Sequence, residues 1–239
     1  MNRNNEFHYG VKDSTPIFLA YLAVSCAFGM TVCQQGMSPL LAGFISLTNL
    51  TSAGQFAGTE LIIKGASFLE LAFTILVINL RYFLMSLSLS QKLDRSFNLF
   101  QRYSVAFGVT DEIFAVSVGK PGVRTPKYMF GLILPPVIGW TGGTLLGGFL
   151  SQSLPSVIVD AMGISLYAMF LAIIIPPAKK SKPILFTIIL AMVLSTILEF
   201  VPIFDFLSSG WVIIIITVVV ASIAATLFPI KEEEILEDE

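Results

Sequence analysis

Leu50-Thr51-Ser52-Ala53-Gly54-Gln55-Phe56-Ala57-Gly58-Thr59-Glu60 interrupts what would otherwise be one apolar segment from Pro39 to Ile63. Ser52, Ala53, Gly54 and Gln55 are small or polar, and Gly54 can take backbone angles that a helix cannot. Broken backbone is tolerated at membrane depth only where it is buried in protein or lines a watery cavity. Half-helices meeting at such a break hold substrate in many transporters, because a helix N-terminus attracts an anionic group. The other reading is a packing site, since small residues let membrane helices approach closely. The stretch by itself leaves both open.

The surrounding chain sets the class. Of 239 residues, 55% are hydrophobic, 20 are Phe, and only 13% are charged. A soluble domain carries about 25% charged residues. The charges cluster between long apolar runs, so the fold class is an all-α polytopic membrane protein. The net charge of −2 is set by the tail from Lys231 to Glu239, which holds one Lys and six acids. The organisation expected is a cytoplasmic tail over 1–13, one membrane transport domain over 14–230, and an acidic cytoplasmic tail over 231–239. The first apolar run is expected to be retained rather than cleaved. Cys26 and Cys33 lie seven residues apart on one helix face, too distant for a disulfide, and read as packing residues. His8, the sole histidine, reads as a solvated tail residue, and no metal site or cofactor is expected.

Along the chain, spans are expected at Pro16–Gln34, Phe68–Leu89, Tyr128–Leu150, Ser156–Pro176, Pro183–Val201 and Trp211–Phe228. Ser38 reads as a helix N-cap with Pro39 as the first helical residue. Each half of 39–63 is shorter than the ~20 residues of a spanning helix. Ser104–Val118 is also short and carries Asp111 and Glu112 at its middle, where each acid costs roughly 2.5–3.5 kcal/mol on insertion. Pro135 and Pro136 suggest a kink. Gly139, Gly143 and Gly147, spaced by four, make a smooth face for close contact, within this chain or with another.

Two topologies follow, both with the N-terminus inside. Eight spans place ten basic residues inside and three outside; six spans place twelve inside and only Lys64 outside, with Arg81 intramembrane in each case. The positive-inside rule prefers six. Then 39–63 is a re-entrant pair dipping from outside, 104–118 is a half-helix dipping from the cytoplasm, and their polar breaks meet near mid-membrane.

Arg81, deep in an apolar helix, needs a cavity or a partner. Asp111 and Glu112 are its candidate partners, and either acid could equally serve a substrate ammonium or a proton. Asn79 lies roughly opposite Arg81, because two residues turn a helix by about 200°. Glu60 and Lys64 are spaced as a local pair. Glu199 sits near a span end, suited to snorkelling to the interface, and Asp160 lies near the start of its span. An intramembrane protease is disfavoured, since Asp111 and Asp160 lack motif context and His8 lies in the tail. There is no P-loop, and no basic patch interleaved with aromatics for nucleic acid.

Gly36-Met37-Ser38-Pro39, Ser52-Ala53-Gly54-Gln55-Phe56-Ala57, Asn79-Leu80-Arg81-Tyr82 with Ser86-Leu87-Ser88-Leu89, and Thr110-Asp111-Glu112 with Phe114 occur in that order. In this the chain resembles the AzlC family of branched-chain amino-acid exporters, over essentially its whole length. Two positions depart: the family typically has Ser where Gly54 stands, and often His where Tyr82 stands. The resemblance implies a non-enzymatic permease of the cytoplasmic membrane that exports branched-chain amino acids with a small AzlD-type membrane partner. Ser52, Gly54, Gln55, Phe56, Asn79, Arg81, Asp111 and Glu112 are the expected substrate-binding residues. A passive channel or non-transporting subunit is the alternative.

Overall fold

The computed structural model describes residues 5–151, 171, 174–204 and 206–229. The expected span 156–176, with Asp160, lies mostly outside these residues, as does the acidic tail. The described residues are helical, with one isolated bridge between Leu93 and Arg124. Two compact units divide the chain, Met1–Thr59 with Ile78–Met169, and Glu60–Val77 with Phe170–Glu239.

The first unit is built on α1 (Glu6–Gln34) and α7 (Pro126–Leu150). These two helices run parallel in near-backbone contact. A Cβ on Gly10 would meet the Tyr128 carbonyl at 2.3 Å, and one on Gly147 the Cys26 carbonyl at 1.9 Å. At Gly139 and Gly143 the same atom would strike Phe18 and Leu22. The glycine ridge therefore packs inside the chain, and glycine is what permits that approach. Pro135 cannot donate to the carbonyl of Gly131, and Ser14 on α1 places its hydroxyl 3.4 Å from that oxygen. Both prolines lie within one continuous helix.

The expected tail 1–13 is not a separate element. The α1 helix starts at Glu6, so Pro16 is interior to it. The polar first turns are held by α7 and the loop before it: Thr125 donates to Glu6 at 2.8 Å, and Tyr128 donates to Asp13 at 2.8 Å. Lys120 forms an ion pair with the same Asp13.

Between α1 and α7 lie two helical hairpins. The first is α2 (Pro39–Thr48) and the beginning of α3 (Ala53–Ile63). Ser38 caps α2 by accepting from the Leu41 amide at 3.2 Å, with Pro39 opening the helix. The second is α5 (Leu99–Gly108) and α6 (Asp111–Val118). The single half-helix expected over 104–118 is thus two helices. Thr110 takes an extended conformation and accepts from the Ile113 amide, which starts α6 afresh. Asp111 and Glu112 lie in its first turn, where the helix dipole favours acids.

The direction of α4 (Phe68–Gln91) decides the topology. Asn79 lies against Gly54, near mid-molecule, whereas the C-terminal end of α4 meets the residues just before α7. There Arg124 and Lys92 are joined through the backbone at 2.7 Å, and Lys92 reaches the Val118 carbonyl at 3.0 Å. The second half of α4 therefore runs antiparallel to α1 and α7. A segment joining two antiparallel spans must return to the side it left. Both hairpins are accordingly re-entrant, and the eight-span alternative, which needs α4 parallel to α1, does not fit. Lys12, Lys92, Arg95, Lys120, Arg124 and Lys127 gather at one end, which the positive-inside rule makes cytoplasmic.

The second unit holds the first part of α4, α8 (Lys182–Phe200) and α9 (Ser209–Leu227). Glu60 and Lys64 form the expected pair at 2.6 Å, but both are exposed, so it contributes little. Glu199 is exposed near the end of α8. Five described helices, α1, α4, α7, α8 and α9, are long and apolar enough to cross a membrane. The chain is an all-α, multi-pass membrane protein.

Candidate substrate site at two broken helices

The two breaks come together around the middles of α1 and α7. At the first, Asn49–Ser52 are non-helical, and Ser52 has φ of 38°. Non-glycine residues enter this left-handed region at a cost of roughly 1–2 kcal/mol. The expectation that Gly54 supplies the unusual backbone angle is therefore corrected: Ser52 does. Gly54 is helical, and its missing side chain serves close approach. A Cβ there would meet Thr51 Oγ1 at 2.6 Å and Asn79 Oδ1 at 2.8 Å.

Gln55 is fully buried and its hydrogen bonds are internal. Its amide donates to Ser46 at 2.6 Å, and its oxygen accepts the indole N–H of Trp140 at 2.8 Å. Ser46 in turn lies 2.7 Å from Thr144. Phe56 packs edge-on against Phe28, ring centroids 4.7 Å apart, and Phe114 packs against the core cluster. Gln55 and Phe56 therefore fix the hairpin to α7 and α1. Asn79 keeps a buried Oδ1 with no hydrogen-bond partner among the described residues, facing the start of α3.

The charged residues meet at the second break. Arg81 pairs with Asp111 at 2.7 Å, with side chains 40% and 28% exposed, so the pair is reachable. Arg81 also reaches the Tyr82 hydroxyl at 3.3 Å. The neighbouring acid takes a different partner: Glu112 Oε2 lies 2.5 Å from the Tyr21 hydroxyl, which is 2.7 Å from Thr110 Oγ1. Tyr21 is buried and its ring meets Trp140 edge-on, with centroids 5.2 Å apart. One continuous set of contacts thus runs from Glu112 through Tyr21 and Trp140 to Gln55, tying both breaks together. Arg81, Asp111 and Glu112 converge at the second break; Asn79, on the same stretch of α4 as Arg81, lies against Gly54 beside the first. Beside the second break lies a recess of about 210 Å³, lined mainly by apolar residues such as Leu89, Leu93, Val105 and Val109, with Ser86 and Arg102 also on its wall.

Tyr21 and Trp140 were not among the expected residues. Their signal in the sequence is an aromatic with a polar tip inside a span, which must find a partner when buried. Glu70 was also missed. In the second unit it is 5% exposed, accepts from Ser208 and from the Gly210 amide, and so caps the start of α9. An acid in the first turn of a span carries that signal.

A family model described as AzlC protein matches residues 16–154. The chain is 30% identical to the inner membrane protein YgaZ of Escherichia coli, over 76% of this chain and 77% of that protein. It is 33% identical to an uncharacterized membrane protein of Archaeoglobus fulgidus, over 75% and 79% of the two chains. A Helicobacter pylori membrane protein is 30% identical over 74% and 79%. No solved structure matches.

Proposed function

Since the chain belongs to the AzlC family, we propose that it is a secondary transporter exporting branched-chain or other small apolar amino acids across the cytoplasmic membrane. The observation that carries this reading is the Arg81–Asp111 pair, half-exposed where two re-entrant hairpins meet. A zwitterion replaces both partners at once. Its carboxylate takes the Arg81 fork, which binds two oxygens, and its ammonium takes Asp111. Removing one member of a buried pair leaves an uncompensated charge, at a cost of about 3–5 kcal/mol in a fully buried site and less here. A ligand with only one charge pays that cost, and a zwitterion does not. Asn79, with its unpartnered oxygen, and the Ser52–Gly54 turn complete the polar wall. The apolar recess beside Val109 suits an aliphatic side chain. Gln55 and Phe56 support the site from behind.

No chemical reaction is assigned to the chain, and a transmembrane gradient supplies the energy. A small AzlD-type membrane subunit is the proposed partner. Its contact is away from the glycine ridge, which α1 already covers. In vesicles loaded with labelled leucine, external leucine should drive saturable counterflow, which a passive channel would not give. Competition separates the charge requirement: isoleucine should compete, whereas 3-methylbutylamine and 4-methylpentanoate should not. Competition by either singly charged analogue at leucine-like concentration contradicts the ion-pair exchange.

A further inference from the structure

We propose that Glu112 is the binding site of the coupling ion, that the ion is a proton, and that Tyr21 positions it; the proposal rests on the transport reading above. Three charges meet at the second break, and they do not balance. Arg81 is engaged with Asp111 at 2.7 Å, a neutral pair. Glu112 is left over, and none of the ion pairs among the described residues joins it to a cation. When a zwitterion enters the Arg81–Asp111 pair, one charge of each sign replaces another, and Glu112 still has no counter-ion. What it has is the hydroxyl of Tyr21, at 2.5 Å.

That contact is built for two protonation states. With Glu112 ionised, Tyr21 donates its proton to Oε2, and Thr110 can donate to the Tyr21 oxygen. With Glu112 protonated, the carboxyl donates to the Tyr21 oxygen, and Tyr21 turns its proton to Thr110 Oγ1, 2.7 Å away. The Tyr21 hydroxyl has one donor and one acceptor in both states; the carboxylate gains one proton, and the Tyr21 and Thr110 hydroxyls reorient. Neither state leaves the buried hydroxyl unsatisfied, which would cost about 1–3 kcal/mol.

The groups facing Glu112 are Tyr21 from α1, Tyr82 from α4 and Asp111 from its own helix, with Arg81 of α4 held by Asp111. Arg81 is common to the two functions. Held by Asp111, it is partly neutralised; released to a substrate carboxylate, it remains neutralised. Substrate ammonium and proton therefore sit on adjacent carboxylates of one helical turn, Asp111 and Glu112. The two Tyr21 bonds also join the proton site to the tip of the second hairpin, while its ring contacts Trp140, which holds the first. A proton on Glu112 thereby acts on the backbone elements that surround the substrate.

The test uses the full chain in liposomes with a pH-sensitive dye inside. Leucine crossing the membrane down its gradient should be accompanied by proton movement in the wild-type protein. Glu112→Gln should lose leucine-linked proton movement, and leucine binding to this variant should no longer vary with pH. Proton movement that persists in Glu112→Gln overturns the proposal. Wild-type flux that follows a sodium gradient and ignores pH also overturns it, while leaving the transport reading intact. A wild-type protein that neither binds nor moves branched-chain amino acids ends both. Should Glu112→Gln fail to fold, Tyr21→Phe keeps the ring against Trp140 and removes only the hydroxyl. It should move the pH at which proton-linked flux is half-maximal; an unchanged midpoint contradicts the role of Tyr21 and the proposal with it.

Discussion

Trp140 on α7 donates its indole N–H to Oε1 of Gln55, 2.8 Å away, at the start of the helix that follows the first break. The bond spans 85 residues of sequence and lies in a fully buried setting, with Gln55 at 0% and Trp140 at 1% exposure. It converts a segment that cannot cross the membrane into one with a fixed depth. Gln55→Leu should therefore lower stability in detergent by about 1–3 kcal/mol, because the indole N–H is left buried and unpaired. A Gln55→Leu protein that melts like wild type while losing leucine binding would instead make Gln55 a substrate ligand.

The α1–α7 contact gives a sharper contrast. Gly147→Ala puts a methyl 1.9 Å from the Cys26 carbonyl, which is backbone and cannot swing aside. Overpacking of this kind costs roughly 1–3 kcal/mol or more, and the folded, monodisperse fraction in detergent should fall accordingly. Gly142→Ala, on the same helix, meets nothing within 4 Å. It should be neutral or stabilising by up to about 1 kcal/mol, as alanine replaces glycine within a helix. Equal tolerance at both positions would contradict the parallel packing.

These two sites also show how far the sequence is legible. The break at 50–55, the Ser38 cap, the re-entrant topology and the pairing of Arg81 with an acid of the Asp111-Glu112 pair follow from local pattern and from charge counting; that the partner is Asp111 does not. The gly-spaced ridge was legible as a contact face, but not its partner, because small residues say how close a neighbour comes and not which one. The sequence marks Gln55 as polar within a break, but its hydrogen-bond partners Ser46 and Trp140 lie at separations no periodicity encodes. The second hairpin was hidden for a different reason. Val109 and Thr110 look apolar and neutral in a helix, and only the cap from Thr110 to Ile113 shows that the helix restarts.

Topology has its own check. Reporter tags at Ser96 and Lys64 should be cytoplasmic and external respectively, because α4 runs antiparallel to α1. Cytoplasmic activity at Lys64, or external activity at Ser96, would reverse that assignment.

Gly54→Leu should insert normally and lose transport, since even the first carbon of its side chain meets Thr51 and Asn79. Transport assays of membranes matched for protein amount decide this. Wild-type flux in the variant would show that the break does not adjoin the substrate path.

The central claim is that leucine enters by taking over both partners of the Arg81–Asp111 pair. Titration calorimetry of leucine against purified Arg81→Gln protein tests it most directly, with its melting profile recorded to establish that it is folded. The account predicts a folded protein whose leucine affinity is weakened, by less than the roughly 2–5 kcal/mol of a fully buried hydrogen-bonded charge pair because this pair is partly exposed. Leucine bound by Arg81→Gln at wild-type affinity would contradict it.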